Sequence, residues 1–351
     1  MKICFITASL VGGGAERVIA NLSNEMCSRG HEVTILLTSE MIIEYELDSR
    51  IKVILVSNKT NGSIKGRVYR IKALRQFFNA NKDIYYISLL TDTNIFVLLA
   101  SIFTGIQLII SERNDPNRYH AKVLRNIVYL LAKKIVFQTE DAKACYSNRL
   151  QKNSIVIPNP LSDNLEEPYN GKRRKQIVAV GRLEPQKNYG LMLEAFGRLV
   201  QACPEYQLVI YGKGNSKEEL IRKAQEKQIE KNVTFKGFSA NIWKLEKDSA
   251  MYVLSSDYEG MPNSLLEAMA VGMPVISTNC PIGGPAMVVE NGVNGLLVPV
   301  GESEALYNAM LTFVRNEEYA DKLGKEAVKI KEKLDIGVIC DHWLDYVKTI
   351  I

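Results

Sequence analysis

Two series of apolar, β-branched runs alternate with helical patterns along the chain, and this alternation constrains the fold more than any other feature. The first series includes "KICFITA", "EVTILLT", "QLIISE" and "KKIVFQTE", and the second includes "QIVAVGRL", "YQLVIYGKG", "AMYVLSS" and "MPVISTN". Strand runs that alternate with helices are typical of parallel βαβ units. The sequence therefore predicts an α/β chain with two doubly wound parallel sheets.

A stretch that fits neither pattern separates the two series. It reads "NSIVIPNPLSDNLEEPYNGKRRK" over residues 153–175 and contains three prolines and a basic run. The chain has 351 residues, which is more than one hydrophobic core usually serves. We expect an N-terminal Rossmann-like domain over residues 1–165 and a C-terminal one over residues 166–335. The apolar amphipathic tail over residues 336–351 needs a partner surface.

Cysteine use and the first residues indicate the compartment. The six cysteines lie far apart without a C-x-x-C pair, and the start "MKICFITASLVGGG" lacks a small-residue cleavage site. We therefore expect a reducing, cytoplasmic location. The apolar stretch over residues 84–110 contains one charged residue, Asp92. Turn and cap residues around Asp92, and the break at Thr104 and Gly105, favour strand, buried helix and strand over a membrane span.

The positive charge is concentrated in the first half of the chain. Residues 1–170 hold 21 Lys and Arg against 16 Asp and Glu, whereas residues 171–351 hold 23 of each. Much of the excess lies on the amphipathic pattern "IKGRVYRIKALRQFF". Two interpretations stay open for this helix: a solvated helix packed on a sheet, or a patch for an anionic membrane surface or acceptor. Nucleic-acid binding has little support beyond this modest charge.

A glycine loop follows the first predicted strand and precedes a helix. As a dinucleotide fingerprint it is incomplete, because Gly12 and Gly14 fit the G-x-G-x-x-G pattern but Arg17 stands at the third position. Backbone at Gly13 and Gly14 can approach an anionic ligand at the helix N-terminus. A tight turn without a ligand is the alternative. Glu16, in the first helical turn, is explained by the helix dipole.

Two further motifs lie in the second series, at the predicted carboxyl edge of its sheet. "GRLEPQKN" places Arg182 and Lys187 on one loop, where both cations can converge on a diphosphate. "EGMPNSLLE" carries Glu259 and Glu267 on either side of a helix start. Ser264 and Glu267 also fit a capping box, so a purely structural role for Glu267 stays open. Paired carboxylates at this place suit the hydroxyl groups of a sugar nucleotide.

Together, "GGGAE", "GRLEPQKN", "EGMPNSLLE" and "GGPAMVVENGVNGLLVP" resemble the motifs of the retaining glycosyltransferases of family 4. The resemblance spans both halves of the chain and is most specific in the second. It implies the GT-B fold, in which two Rossmann-like domains face each other across a cleft. The N-terminal domain would then bind the acceptor, the C-terminal domain the nucleotide sugar, and the last helix would return to the N-terminal domain.

The resemblance also implies roles for individual residues. Arg182 and Lys187 would hold the donor diphosphate and, with Glu259, form the catalytic group. Glu259 would contact the donor sugar, and Glu267 the ribose. The implied donor-binding residues are Gly13, Gly14, Arg182, Lys187, Glu259, Gly260, Met261, Pro262, Asn263, Ser264 and Glu267.

This sequence departs from the family at two places. Many members carry a histidine in the loop after the strand that here ends "LIISERNDP", where this chain has Glu112, Arg113 and Asn114. Arg113 or the nearby His120 could replace that histidine. The expected contacts to the acceptor or sugar are therefore Glu16, Glu112, Arg113 and Asn114. Met287 stands where an acid is common in the family.

The implied reaction moves a hexose or N-acetylhexosamine, with retention, from a UDP-linked sugar to a saccharide acceptor. A polyprenyl-diphosphate-linked acceptor in cell-surface polysaccharide synthesis is expected, at the inner face of the plasma membrane. The sequence contains no D-x-D and no His/Cys cluster with metal-ligand spacing. We therefore expect no metal and no cofactor, because Arg182 and Lys187 can balance the leaving charge.

Two other enzymes stay open at this point. A nicotinamide-dependent oxidoreductase would use the first βαβ unit, although only Glu40 is available as the ribose acid. A sugar-nucleotide epimerase on the same fold would turn over the donor without an acceptor. A non-catalytic subunit is disfavoured, because the Arg, Lys and both Glu positions of the expected site are filled.

Overall fold

The computed structural model describes residues 1–56, 64–162, 165–239 and 241–350. The chain divides into two compact units. The N-terminal unit comprises Met1–Pro160 and Leu334–Ile351, and the C-terminal unit comprises Leu161–Lys333. Part of the predicted separating stretch, residues 163 and 164, lies outside the described residues, as does residue 351 at the end of the predicted tail helix.

The N-terminal unit is built on a sheet of seven parallel strands in the order β3-β2-β1-β4-β5-β6-β7. The strands are β1 (Lys2–Thr7), β2 (Glu32–Leu37), β3 (Lys52–Leu55), β4 (Tyr85–Leu89), β5 (Gln107–Ser111), β6 (Lys134–Phe137) and β7 (Ser154–Val156). The helices between them are α1 (Gly14–Ser28), α2 (Ile64–Ala80), α3 (Thr91–Ser101), α4 (Lys122–Tyr129), α5 (Glu140–Ala144) and α6 (Asn148–Lys152). Central strands such as β1 and β5 are buried beyond their first residue, as expected for a parallel sheet covered on both faces.

The C-terminal unit is built on six parallel strands in the order β10-β9-β8-β11-β12-β13. These are β8 (Arg174–Val180), β9 (Gln207–Tyr211), β10 (Val233–Gly237), β11 (Ser249–Leu254), β12 (Val275–Thr278) and β13 (Leu296–Val298). The helices are α7 (Tyr189–Ala202), α8 (Lys217–Glu226), α9 (Ile242–Glu246), α10 (Asn263–Ala270), α11 (Gly284–Val288), α12 (Ser303–Arg315), α13 (Glu317–Ala327) and α14 (Ile330–Lys333). The predicted fold class, two doubly wound parallel sheets, is confirmed.

The apolar stretch over residues 84–110 folds as β4, α3 and β5, which confirms the strand, helix and strand predicted for it. Phe103 and Gly105 make the turn before β5 with positive φ angles of 62° and 73°. Glycine adopts this left-handed conformation without strain, which explains the break at Gly105. Among the described residues, no helix combines the length and the hydropathy that a membrane crossing requires.

The apolar tail forms α15 (Ile336–Lys348) and packs against α1 within the N-terminal unit. Asp335 caps its N-terminus by accepting a hydrogen bond from the Val338 N–H at 3.1 Å. Arg29 of α1 pairs with Asp341 at 2.5 Å and donates to the Gly337 carbonyl oxygen at 3.0 Å. The buried face of α15 consists of Ile336, Ile339, Cys340, Trp343, Leu344 and Val347. The tail is therefore a core element of the N-terminal unit.

Each sheet contains one point where the strand order reverses. In the N-terminal unit this point lies between β1 and β4, and in the C-terminal unit it lies between β8 and β11. Ligands of open α/β sheets bind at such points, beyond the carboxyl ends of the strands. The glycine loop follows β1, "GRLEPQKN" follows β8, and "DYEGMPN" follows β11. The fold thus brings two of the predicted motifs together in the C-terminal unit.

Candidate functional site

The loops that follow β8 and β11 are fastened to each other by hydrogen bonds. The Asp257 N–H donates to the Gln186 carbonyl oxygen at 2.9 Å, and the Gln186 side-chain amide donates to the Tyr258 carbonyl oxygen at 2.8 Å. The Asn188 amide donates to the Asp257 carboxylate at 2.7 Å. The two motifs therefore form one structure, although about 70 residues separate them along the chain.

Lys187 and Glu259 form an ion pair at the centre of this structure. The Lys187 Nζ lies 2.5 Å from the Glu259 Oε1, and the two side chains are 12% and 8% exposed. The same carboxylate accepts hydrogen bonds from the Ser256 hydroxyl at 2.6 Å and from the Gln186 amide at 3.4 Å. Separating the two buried charges would leave each without a partner away from water, which costs free energy, so the pair holds the two loops in place. The sequence-predicted phosphate and sugar contacts thus lie side by side.

Arg182 lies on the exposed side of the same loop. Its Nη2 makes one long hydrogen bond, of 3.5 Å, to the Gln186 Oε1. A guanidinium group has five N–H donors, so most of its hydrogen-bonding capacity is available to a ligand. Asn188 ends the loop with a left-handed backbone and caps α7 by accepting from the Leu191 N–H at 3.1 Å. Helix α7 therefore begins directly after the motif, at Tyr189.

The start of α10 differs from the capping box that the sequence suggested. Pro262 is the N-cap and Asn263 the first helical residue, so Ser264 occupies the second helical position. The Ser264 hydroxyl lies 2.8 Å from the Tyr252 hydroxyl and donates to the Val180 carbonyl oxygen at 3.2 Å. The capping-box assignment is wrong, because the side chain of Ser264 turns to the neighbouring strands instead of the helix end.

Glu267 is held by a residue that the sequence analysis missed. The indole N–H of Trp243 donates to the Glu267 Oε2 at 2.8 Å, and Glu267 is buried. Trp243 lies on α9, outside every motif, so neither spacing nor composition connects it with Glu267. Gln186 was missed as well, although it lies inside "GRLEPQKN" beside Lys187 and its neighbours there were singled out.

The backbone around Gly260 is crowded from the side of α11. A Cβ placed on Gly284 would lie 1.6 Å from the Gly260 carbonyl oxygen, so only glycine permits this approach. Met261 next to it is buried, whereas Met287, which follows on α11, is 46% exposed. The close approach brings the "GGP" segment against the "EGMP" loop. It also fixes the loop that carries Glu259.

The glycine loop of the N-terminal unit is fastened by the segment that follows β2. Gly13 is the N-cap of α1 and Gly14 its first residue. The Gly12 N–H donates to the Glu44 carboxylate at 2.8 Å, and the Tyr45 hydroxyl donates to the Gly13 carbonyl oxygen at 2.8 Å. Burial raises the pKa of the Tyr45 hydroxyl, which keeps this donor protonated.

Glu16 lies in the first turn of α1, as the sequence analysis expected from the helix dipole. Its carboxylate lies against Gly13, since a Cβ built on Gly13 would come within 2.0 Å of the Glu16 Oε2. Gly13 therefore leaves room for the Glu16 side chain at the helix end. This arrangement places a negative charge beside the predicted ligand-binding amides.

Glu112 follows β5 and is enclosed by hydroxyl groups. It is 1% exposed. Its carboxylate accepts hydrogen bonds from Thr91 at 2.7 Å, Tyr129 at 3.0 Å and Tyr146 at 3.1 Å. Burial, with the nearby Glu112 charge second, raises the pKa of both tyrosines. The interior position indicates that Glu112 orders its loop, because a direct contact with an acceptor would require breaking these bonds.

Arg113 is also buried, but without a carboxylate partner. Its Nη1 donates to the Asn159 side chain at 2.7 Å, and its guanidinium lies 5.4 Å from the centre of the Trp343 ring. Its Nε and Nη2 are buried and make no hydrogen bond to the described residues. Burial lowers the pKa of Arg113 to about 9. Asn114, the next residue, is exposed, and so is His120 farther along.

No three His, Cys, Asp or Glu side chains within the described ranges lie close enough together to hold a metal ion.

Two family profiles match the chain, one for each half. Residues 12–165 match the profile described as "Glycosyltransferase Family 4", and residues 163–330 match "Glycosyl transferases group 1". The boundary between the two matches lies close to the division between the structural units. Together the profiles cover nearly the whole chain.

Curated relatives match over the full length. One is a Campylobacter jejuni alpha-1,4-N-acetyl-D-galactosaminyltransferase, 27% identical over 100% of this chain and 99% of its own. Its name gives the acceptor as GalNAc-alpha-(1->4)-GalNAc-alpha-(1->3)-diNAcBac-PP-undecaprenol. Another is the amylovoran biosynthesis glycosyltransferase AmsD of Erwinia amylovora, 24% identical over 95% of both chains.

Solved structures share the fold. HepE of Anabaena, in complex with UDP and glucose, aligns with a TM-score of 0.87 at 18% identity, over 99% of this chain and 100% of that one. The lipopolysaccharide outer core galactosyltransferase WaaB aligns with a TM-score of 0.77 at 20% identity over 100% of both chains. With two matching profiles and this fold, the chain belongs to glycosyltransferase family 4 and has the GT-B fold.

Proposed function

We propose that the protein transfers a hexose or N-acetylhexosamine from a UDP-sugar to a saccharide carried on a polyprenyl diphosphate, with retention and without a metal ion. The transfer would serve surface polysaccharide synthesis at the inner face of the membrane. The Lys187–Glu259 ion pair at the strand-order reversal of the C-terminal sheet carries this proposal. Relatives that act on undecaprenol-linked sugars, and a structural neighbour that holds UDP, support the same donor and acceptor classes.

The ion pair suits a donor that brings both an anion and hydroxyl groups. The diphosphate would attract the Lys187 ammonium, with the exposed Arg182 guanidinium gripping a second oxygen. Glu259 would then accept hydrogen bonds from hydroxyl groups of the donor sugar in place of its Lys187 contact. Glu267, oriented by Trp243, would accept from the ribose hydroxyl groups. Lys187 would thus bind the diphosphate of the donor, and Glu259 would bind its sugar.

The start of α10 adds backbone donors to this site. The loop with Gly260, Met261 and Pro262 leads into the helix at Asn263. The dipole at this helix N-terminus favours a phosphate there. The amides near Asn263 and Ser264 would therefore face the diphosphate. Gly13 and Gly14, at the start of α1, would bind donor phosphate or sugar through their own amides.

The reaction breaks the bond between the anomeric carbon and the diphosphate oxygen. The acceptor hydroxyl oxygen forms a new bond to the same face of that carbon, and its proton passes to an oxygen of the departing diphosphate. No carboxylate nucleophile is required. The protein's contribution is to position the reactants and to stabilise the charge on the leaving group, through Arg182, Lys187 and the α10 amides.

The acceptor side of the proposal rests on the loop after β5. Arg113 and Asn114 would contact the acceptor sugar or phosphate, since the Nε and Nη2 atoms of Arg113 make no hydrogen bond to the described residues. Glu112 would hold this loop from within, because its carboxylate also accepts the Arg113 backbone N–H at 3.2 Å. Glu16, at the start of α1, would face the sugar hydroxyl groups beside Gly13.

A ligand screen followed by product analysis tests the proposal. UDP, GDP, ADP, NAD and a panel of UDP-sugars are added to the protein with and without EDTA, and thermal stability is measured. We expect UDP compounds to stabilise the protein in the presence of EDTA, since a ligand that binds only the native state raises its stability. NMR of the product of transfer to a water-soluble lipid-diphosphate analogue should show the anomeric configuration of the donor.

Two variants make the screen specific. Arg182→Ala should abolish the UDP response, whereas Arg198→Ala, another exposed arginine of the same unit, should keep it. An inverted product would overturn the retaining mechanism. Activity lost with EDTA and restored by a divalent ion would overturn metal independence. Stabilisation by NAD alone would favour a nicotinamide-dependent oxidoreductase instead.

A further inference from the structure

Helix α4 exposes an apolar ridge that no other part of its unit covers among the described residues. The ridge consists of Val123, Leu124 and Ile127 of α4 together with Leu130 and Leu131 directly after it, and these residues are between 41% and 75% exposed. A groove of about 320 Å³ runs beside it, between α4 and α6. We call these five residues the α4 ridge.

The core of the N-terminal unit does not account for the α4 ridge. The opposite face of the helix already buries Arg125, Val128 and Tyr129. Five exposed aliphatic side chains within nine residues form a contiguous patch, whereas exposed apolar residues on soluble proteins are normally scattered singly. A patch of this kind marks an interaction surface, since it costs solubility without adding to the core.

The charges around the α4 ridge indicate what it meets. The sequence from Pro116 to Thr139 contains no Asp or Glu, but it contains five Lys and Arg. Exposed lysines lie before and after the ridge, at Lys122 and Lys133, and Arg149 is exposed on the adjoining α6. An aliphatic patch that is flanked by basic residues and has no acids in its sequence segment complements a surface with an outer anionic layer and an apolar interior.

The neighbouring helices extend the same character. Helix α3 packs against both α4 and α2, so the three helices form one layer. Helix α2 carries five Lys and Arg and no acid, and it exposes Ile64 and Val68. Helices α2 and α4 therefore both expose apolar side chains beside basic residues, which favours the interpretation of α2 as part of a patch for an anionic surface.

We propose that the α4 ridge lies in the headgroup layer of an anionic lipid bilayer, with Lys122, Lys133 and Arg149 contacting lipid phosphates. The role of this contact rests on the proposed function, because it would bring the enzyme to a lipid-linked acceptor. The lipid contact itself needs no nucleotide sugar. The ridge offers bulky aliphatic side chains without aromatic or hydrogen-bonding anchors, which suits fluid acyl chains better than a specific protein pocket.

Vesicle co-sedimentation of the full chain tests the proposal. The vesicles contain phosphatidylcholine alone, or phosphatidylcholine and phosphatidylglycerol in equal parts. We compare the wild type with the double variants Leu124→Ser/Ile127→Ser and Lys122→Ala/Lys133→Ala. The matched control is Leu245→Ser, which removes an equally exposed leucine, 55% like Leu124, from the C-terminal unit.

The wild type should bind the anionic vesicles, and added salt should weaken the binding. Removing the two lysines should lower the partition coefficient about 30-fold, and removing the two aliphatic side chains about tenfold or more. The Leu245→Ser control should bind like the wild type. Transfer to a water-soluble acceptor should be unchanged in all three variants, which separates this test from that of the proposed function.

Three outcomes would overturn the proposal. The first is equal binding, or no binding, of the wild type to both kinds of vesicle. The second is loss of binding in Leu245→Ser to the same extent as in the ridge variant. The third is a ridge variant that changes from dimer to monomer in analytical ultracentrifugation, because the α4 ridge would then be a contact between two copies of the chain.

Discussion

Both units place a buried acid and a buried cation beyond the carboxyl ends of their strands, but they use them differently. In the C-terminal unit, Lys187 and Glu259 are distant in sequence and form an ion pair of 2.5 Å. In the N-terminal unit, Glu112 and Arg113 are adjacent in sequence, yet these two described side chains form no ion pair. Glu112 is enclosed by hydroxyl groups, and Arg113 donates to Asn159. Sequence proximity therefore does not decide which charges pair.

The difference separates two kinds of site. A Lys–Glu pair can exchange partners with a ligand that brings phosphate and hydroxyl groups, so the C-terminal pair suits a nucleotide sugar. A carboxylate held by Thr91, Tyr129 and Tyr146 has no cation to release and acts as a structural support. Arg113, by contrast, has two buried nitrogens, Nε and Nη2, that make no hydrogen bond to the described residues. Substitutions at these residues test whether the two units use their charges in these different ways.

The largest effect is expected for Lys187→Ala. It removes the cation that we propose contacts the leaving diphosphate, and it leaves Glu259 buried without its counter-ion. We expect kcat/KM to fall by a factor on the order of 10³ and the free energy of unfolding to fall by about 3–5 kcal/mol. Kinetics and urea denaturation measure the two changes. Adding Glu259→Gln to this variant should recover stability but not activity. An unchanged stability of the single variant would contradict the buried ion pair.

Arg182→Ala should follow, with an effect on activity alone. The guanidinium is exposed and makes one long hydrogen bond, so we expect the free energy of unfolding to stay within about 0.5 kcal/mol. The value of kcat/KM should fall by a factor of about 10²–10³. Arg182→Lys should recover part of the lost activity, because lysine keeps the positive charge but cannot donate two parallel hydrogen bonds as a guanidinium group does. Full activity of Arg182→Ala would remove Arg182 from the site.

The fold was predictable from the sequence because its signal is spread over many residues. Two series of strand and helix patterns predict two parallel sheets, and the topology of such sheets places the motif loops at one edge. The positions of Arg182, Lys187 and Glu259 follow from this reasoning. Their partners do not, because a contact such as Trp243 with Glu267 depends on how α9 and α10 pack.

The same limit explains the error at Ser264 and the partners of Glu112 that the sequence does not show. The capping box at Ser264 was a local pattern, but Pro262 is the N-cap of the helix, and the neighbouring strands offer the Ser264 hydroxyl better partners. Glu112 was expected to contact the acceptor or sugar because it lies in the loop where many family members carry a histidine, and this contact stays a prediction. Three hydroxyl groups from distant elements surround it, and only the folded chain brings them together. Tertiary contacts thus override local sequence signals.

Glu112→Gln should weaken the N-terminal unit and leave the donor site intact. The amide retains the shape of the carboxylate but loses charge-assisted hydrogen bonds from the surrounding hydroxyl groups. We expect the free energy of unfolding to fall by about 1–3 kcal/mol, with KM for the UDP-sugar unchanged. Urea denaturation and steady-state kinetics measure these quantities. Glu140→Gln, an exposed acid at the start of α5, is the control and should change neither. A large rise in the donor KM would place Glu112 in the donor site.

Trp243→Phe should change donor binding with a smaller effect on stability. The ring remains, but the N–H that holds Glu267 is lost, so we expect KM for the UDP-sugar to rise about tenfold. Trp343→Phe is the matched control, because Trp343 is buried and its N–H makes no hydrogen bond to the described residues. Equal effects of the two substitutions on KM would show that the Trp243 hydrogen bond does not orient Glu267.

The smallest effect concerns the pH dependence that Arg113 imposes on stability. Burial lowers its pKa to about 9 in the folded protein, whereas the unfolded chain keeps the ordinary high value. Below pH 9 both states bind the proton, so the cost of burying the charge is constant. Above pH 9 the unfolded chain binds more protons than the folded protein, and stability rises with pH.

Relative to Arg113→Met, the free energy of unfolding of the wild type should therefore rise by up to about 1.4 kcal/mol per pH unit above pH 9. Urea denaturation of both proteins between pH 7 and pH 10, at intervals of about half a unit, measures the difference, and the other titrating groups cancel in it. If the difference in stability stays constant up to pH 10, Arg113 keeps its proton in the folded protein. That result would indicate that a bound anion balances the Arg113 charge.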